Sequence, residues 1–290
     1  MGRFPYLTVL VTLFATLAVY QLALWGGLSG DRSGSSRADG NRIRLEHYVD
    51  NRNTPSLVLT GSSVIANLPI EEVVPDAINL GVVSGSVLTG LSVLVSSPRV
   101  SPVVVVETSE TISRTFDTSF VQETMNPTGI WLRRTFSMFR TENKPINVLL
   151  QAMKAVAGKK AKSETAVRGE GAAAPPGKEL QWRIAENGKP LSEKDRKAVI
   201  AAAQQAAAMI RVLEKRGSCV LLVRIPGDRR FDDTMRQHQI HDTILSIMPA
   251  DRFHWIEVPS QREWVSNEGV HLVPASAMDF ARYLKQATHC

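Results

Sequence analysis

Pro102 to Glu107 reads Pro-Val-Val-Val-Val-Glu, apolar on both faces of any strand it forms. A strand with one wet face alternates polar and apolar residues. An unbroken β-branched run marks a strand covered on both sides, as in the centre of a parallel sheet. Two short apolar runs precede it, Ser56–Leu59 and Asp76–Leu80, and two follow, Cys219–Ile225 and Phe253–Val258. Helical patterns lie between and after them, at Val87–Ser96, Leu191–Arg216, Asp232–Ile247 and Ala275–Gln286. Five strands alternating with helices predict an α/β fold with a doubly wound, three-layer, five-stranded parallel sheet. In such sheets, sites form at the C-terminal ends of the strands.

The N-terminus does not belong to that sheet. Tyr6 to Trp25 carries no charge and only one strongly polar residue, Gln21. As a helix at about 1.5 Å per residue it would be roughly 30 Å long, the thickness of a bilayer's hydrocarbon. Cleaved signal peptides have shorter apolar cores and a small-x-small exit, and Gly26 to Gly30 offers only a vague one. The reading is a retained anchor over residues 1–27, with a cleaved signal as the alternative. Residues 28–54, rich in Gly, Ser and Arg, read as a juxtamembrane linker before a domain spanning 55–290.

The βα rhythm breaks after Glu107, which places an insertion at about 108–217. Within it Thr128–Arg140 and Pro145–Ala157 read as helices, and 158–178 has the Lys/Ala/Gly/Pro composition of a disordered loop. The chain carries 34 Lys and Arg against 28 Asp and Glu, a net charge of +6. Its basic residues cluster in this middle segment among Glu and Ala, without aromatic interleaving, so nucleic-acid binding is not expected. Two cysteines make neither a disulfide framework nor a metal motif. Cys219 reads as an ordinary buried strand thiol, with a bridge to Cys290 as the alternative.

Three segments fall at the functional edge of the expected sheet. Thr60-Gly61-Ser62-Ser63 follows the first strand, Asn79-Leu80-Gly81-Val82-Val83-Ser84-Gly85 the second, and Glu268-Gly269-Val270-His271 lies near the C-terminus. A serine hydroxyl needs a neutral imidazole within reach to become a nucleophile, and the imidazole needs a carboxylate to orient it. Ser63, His271 and Glu268 supply those three groups. The bland alternatives are a turn serine and an exposed turn carboxylate.

In this order the segments resemble the blocks of the SGNH (GDSL-type) hydrolase superfamily, over residues 56–107 and 218–286. The resemblance implies Ser63 as nucleophile, His271 as base and acid, Glu268 in place of the usual aspartate, and oxyanion donation from the amides of Ser63 and Gly85, with Gly81 as the alternative. Gly61-Ser62-Ser63 stands where Gly-Asp-Ser is usual. Val106-Glu107-Thr108-Ser109-Glu110 lacks the usual third-block asparagine, and Thr108 or Ser109 would have to replace it. This departure is similar to the membrane-anchored branch that acetylates or deacetylates exopolysaccharides. The resemblance therefore implies a single-pass inner-membrane protein with its domain in the periplasm, although the flanking arginines favour the opposite orientation. It also implies an esterase or O-acetyltransferase acting on an acetylated polysaccharide or other ester, beside a membrane acyltransferase or polysaccharide synthase. A fold that had lost catalysis would instead bind polysaccharide. No cofactor is called for.

Asp232, Asp233, His238, His241 and Asp242 form a rival constellation on one predicted helix. The i, i+3 histidine pair could serve a metal, but no partner motif supports it, and a solvated helix face is the expectation.

Overall fold

The computed structural model describes residues 4–30, 33–114, 116–161, 177–259 and 262–288. In chain order its elements begin with α1 (Phe4–Trp25), α2 (Arg37–Asp50), β1 (Leu57–Gly61), α3 (Ser63–Ala66), α4 (Ile70–Val73) and β2 (Ile78–Gly81). There follow α5 (Val87–Ser96), β3 (Val103–Glu107), α6 (Thr118–Thr124), α7 (Pro127–Thr135), α8 (Pro145–Ala161), α9 (Lys178–Asn187) and α10 (Glu193–Lys215). The last are β4 (Cys219–Val223), α11 (Arg229–Asp232), α12 (Met235–Ile247), β5 (His254–Trp255), β6 (Ser266–Asn267), β7 (His271–Leu272) and α13 (Pro274–Ala287). The chain forms two compact units: residues 1–50 with 126–169, and residues 51–125 with 170–290.

The larger unit is the expected α/β sheet. Five strands run parallel in the order β2-β1-β3-β4-β5. The valine strand β3 sits at its centre, bonded to β1 on one side and β4 on the other. Side chains alternate between the two faces. Leu57, Leu59, Val105, Leu221 and Val223 pack with Ile65 and with Phe280, Ala281 and Leu284 of α13. On the other face α5 lies against β1, and α10 against α5 and β4. The buried stripe of α10 includes Ala202, Ala203, Ala206 and Ala207, small enough for close approach to its neighbours. Ser192 caps that helix, accepting from Asp195 N at 3.1 Å.

The smaller unit is helical. Here the expected linker at 28–54 is overturned, because α2 occupies its second half with Ile43, Leu45, Tyr48 and Val49 buried. The apolar spacing of these residues supplies the packed face that a Gly/Ser reading overlooked. Arg133 on α7 forms a two-pronged bond to Asp50, at 2.7 and 3.1 Å, with both side chains almost wholly buried. Glu46 accepts from the amide and hydroxyl of Thr141 at 2.8 and 2.9 Å. The insertion also divides: residues 126–161 belong to this unit, whereas α6, α9 and α10 belong to the sheet unit. Of the loop expected at 158–178, residues 162–176 lie outside the described residues, as does Cys290; residues 158–161 continue α8.

The Asn79-Leu80-Gly81 segment has a structural reason. Asn79 Nδ2 donates to the carbonyls of Ile65 and Leu68 at 2.7 and 3.1 Å, which ties the α3 turn to β2. A Cβ on Gly81 would stand 2.3 Å from Ala66 N. Gly81→Ala is therefore expected to cost about 1–3 kcal/mol by overpacking. Denaturant unfolding checks this, and an unchanged midpoint would show that α3 is free to shift.

A candidate serine–histidine–glutamate site

Gly61 ends β1 where space runs out: a Cβ there would fall 2.3 Å from Glu107 Oε2 and 2.5 Å from Ile65 Cγ1. The chain turns at Ser62, whose hydroxyl caps α3 by accepting from Val64 N at 3.2 Å. Ser63 is the first residue of that short helix, half-buried at the C-terminal edge of the sheet. Its own N–H is one of the first-turn donors that have no acceptor within a helix.

The histidine arrives on a small hairpin that the sequence reading did not anticipate. Antiparallel β6 and β7 flank Glu268 and Gly269, which take φ of 35° and 90°. A left-handed glutamate costs backbone energy and is held by its surroundings. Val270 N donates to Asn267 O at 3.0 Å to close the turn, and Asp228 N donates to Gly269 O at 2.8 Å to pin it. This turn brings Glu268 back onto the ring, where Oε1 bonds His271 Nδ1. The other ring nitrogen, Nε2, lies 2.9 Å from Ser63 Oγ, across 208 positions of sequence. Ser63, His271 and Glu268 thus form one hydrogen-bonded chain, and all three retain partial solvent access.

Glu107 follows four valines in the sequence with no partner in view, yet it organises the Ser62–Ser63 turn. It ends β3 with 2% exposure and accepts three bonds: from Ser62 N at 2.7 Å, Ser62 Oγ at 2.9 Å and Ser109 Oγ at 2.7 Å. A buried carboxylate needs such donors to be tolerated. The signal was a glutamate at the end of an otherwise all-valine strand. Ser62, standing where the resemblance expects aspartate, is its partner: the carboxylate sits on the neighbouring strand instead.

The remaining expected oxyanion donors already have acceptors within the fold. Gly85 N donates to Val82 O at 3.0 Å, closing its own turn. Gly81 N donates to Asn79 Oδ1 at 2.9 Å. Thr108 Oγ1 donates to Val223 O at 3.1 Å, and Ser109 donates to Glu107 while accepting from Thr111 N. Glycine-rich spacing signals a tight turn, and in this chain the turns consume their own amides. Of the donors the resemblance implies, the amide of Ser63 lies beside the Ser63 hydroxyl as a first-turn N–H.

A cleft of about 990 Å³ lies beside the ends of β4 and β5, and neither Ser63 nor His271 lines it. A cavity of about 40 Å³ sits behind the site, lined by Val64, Glu107, Gly269 and Val270 among others. The rival Asp and His residues do not converge: among the described residues no group of three or more His, Cys, Asp or Glu could hold a metal. Asp232 instead accepts from Gly227 N and Arg224, at 2.9 and 3.2 Å, and supports the loop that pins Gly269. Burial raises its carboxyl above the ordinary range. His241 packs edge-on against Trp255 at 5.9 Å between ring centres.

A scan against protein-family models finds no match for this chain, and a search of curated proteins finds none either.

Two outcomes follow from these contacts. Glu107→Ala strands the Ser62 donors and is expected to lose about 1–3 kcal/mol. Glu107→Gln is expected to stay within about 1 kcal/mol, because serine hydroxyls can reverse to accept from its amide. Equal losses in both variants, read by thermal unfolding, would contradict this account. Burial first, then Arg224, lowers the pKa of His241 below its ordinary 6.5. Below that value the unfolded chain takes a proton that the folded chain resists, so this contribution is present above about pH 6.5 and lost as pH falls. Stability measured from pH 8 to 5 should fall less steeply in His241→Gln than in the wild type.

Proposed function

We propose that the protein is a membrane-anchored serine esterase or O-acetyltransferase of SGNH type, working through an acyl-enzyme. One observation carries the reading: Ser63 Oγ at 2.9 Å from His271 Nε2, with Glu268 bonded to Nδ1 of the same ring. A triad is recognised by geometry and roles rather than by position in the chain. A left-handed turn that also places a carboxylate on an imidazole supports function over chance.

In this mechanism Nδ1–H donates to Glu268 and leaves Nε2 free to accept the Ser63 proton. Ser63 Oγ attacks the ester carbonyl, and the oxygen that gains negative charge turns toward the Ser63 amide. The imidazolium, held by Glu268, returns its proton to the departing alkoxide as the carbon–oxygen bond breaks. Ser63 then carries the acyl group, acetyl in our reading. Water accepting it makes an esterase; a sugar hydroxyl accepting it makes a transferase. No metal or cofactor enters any step.

The setting supports an envelope substrate. Among the described residues one helix, near the N-terminus, is long and apolar enough to cross a membrane, the 20 residues Tyr6–Trp25. In the proposed arrangement it spans the inner membrane with the sheet unit in the periplasm, where O-acetyl groups on an exported polysaccharide are within reach. The acetyl group would come from an ester on a carrier or from a membrane acyltransferase beside it.

A second reading has its own observation. The amides of Gly81 and Gly85 and the hydroxyls of Thr108 and Ser109 are all committed to other acceptors. Loss of one oxyanion donor costs about 10²–10³ in rate. A chain with the triad but a weak oxyanion site would serve as a polysaccharide-binding or assembly protein.

Labelling decides between them. The full chain in detergent is expected to react with a fluorophosphonate probe and to release acetate from a chromogenic acetyl ester. Ser63→Ala should abolish both without changing the unfolding midpoint, and Glu268→Gln should reduce turnover by about 10²–10⁴. Absence of labelling and of acetate release in the wild type would leave the binding reading.

A further inference from the structure

The helical unit pairs the apolar N-terminal helix with chain from the insertion, and this fixes a depth. Tyr20 Oη donates to Asn143 O at 2.7 Å, and Gln21 Nε2 donates to Ser137 Oγ at 2.9 Å. Met138 N donates back to Gln21 Oε1 at 3.1 Å, leaving Gln21 only 5% exposed. The one strongly polar residue of the apolar span is therefore sealed by residues 137–143. Tyr20 and Gln21 lie about 6–8 Å before the end of that span, at about 1.5 Å per residue. A span of about 30 Å matches the hydrocarbon with little to spare, so these partners must sit at, or just inside, its boundary.

The surface around those partners suits that depth. Trp131, Phe136 and Phe139 form an edge-to-face aromatic chain with ring centres 6.3 and 6.2 Å apart. Trp131 is 59% and Phe139 49% exposed. On α8, Ile146, Leu149, Met153 and Val156 are all about half exposed or more. Their spacing of three, four and three residues puts them on one helix stripe. The same unit buries Arg133, Asp50, Glu46 and Thr141 in a satisfied polar network, so its exposed apolar groups do not come from loose packing. Aromatic rings at the boundary and an apolar stripe beside them are what an interfacial helix presents to lipid.

We infer that residues 131–156 form a collar lying in the headgroup–acyl boundary of the leaflet where α1 ends, with Phe139 and the α8 stripe in contact with lipid. The occupant of this face is the bilayer itself. Continuity with α1 carries that choice over a protein partner, because hydrogen bonds tie the collar to the span. The inference rests on α1 being a retained membrane anchor. Its consequence is a restrained domain: two elements hold this unit to the surface instead of one flexible tether.

Environment-sensitive labels on the full chain, reconstituted in phosphatidylglycerol–phosphatidylethanolamine vesicles, test it. An NBD fluorophore is placed on Leu10→Cys, Phe139→Cys, Met153→Cys or Gln151→Cys, with protein lacking an added cysteine as the blank. Leu10 lies within α1; Gln151 lies on α8 roughly opposite the stripe. Labels at 10, 139 and 153 are expected to be blue-shifted and quenched by doxyl lipids, with the label at 151 several-fold less quenched. A lipid-quenched label at 10 with water-like labels at 139 and 153 overturns the collar and leaves the anchor standing. Blue-shifted labels at 139 and 153 without lipid quenching mean that protein covers the face, which also overturns it. A water-like label at 10 removes the anchor reading and the collar with it.

Discussion

The parallel register of β1, β3 and β4 determines where the Ser62–Ser63 turn and its support lie. Thr60 pairs with Val106, and Val106 with Leu222, so the three strands end at the same edge. Gly61 and Glu107 end β1 and β3 at that level, which lets a carboxylate on one strand accept from the first residue beyond the other. Without this alignment Ser62 would have no anchor and α3 would not begin where it does. Residues buried on both faces give little room for slippage, since a one-residue shift would move every side chain to the opposite side. The valine strand thus holds the Ser62 turn through its last residue, Glu107.

Two supports of different chemistry hold Ser63 and His271. On the serine side, Asn79 and Glu107 bind backbone and hydroxyl groups of a short turn, each as a buried side chain with its bonds satisfied. On the histidine side the support is a strained hairpin, pinned through Gly269 O to the Asp228 loop and through it to Asp232 and Arg224. Pre-positioning of this kind lowers the cost of aligning hydroxyl and imidazole, the part of catalysis that a fold supplies before substrate arrives. The amides of Gly81 and Gly85 are bound within their own segment, and under the proposed chemistry that asymmetry bears most strongly on the rate.

The five strands were readable in the chain because each is a short β-branched or leucine-rich run bounded by turn residues. The placing of Ser63 was readable because it follows such a run, whereas His271 reaches it on a hairpin that has no such signal. Glu107 was not, since a glutamate after four valines looks like the end of a strand rather than a buried acceptor; only the neighbouring strand reveals its partners. α2 was hidden by composition: Gly and Ser precede it, while its apolar residues are interleaved with Arg, Asp and Glu. The regrouping of 126–161 with the N-terminus depends on long-range bonds such as Arg133 to Asp50, which leave no mark in local sequence. Donor availability at Gly81 and Gly85 was likewise invisible, because a glycine turn looks the same whether its amide faces a ligand or its own carbonyl.

The central claim is that the Ser63 oxygen becomes acylated. Rapid acid quench of the full chain turning over a chromogenic acetyl ester, followed by peptide mass mapping, reads this directly. The account predicts a single acetyl group on the peptide containing Ser63, formed in the wild type and absent when His271 is replaced by alanine. Acetate release with Ser63 unmodified throughout, or acetylation that persists unchanged without the imidazole, would contradict it.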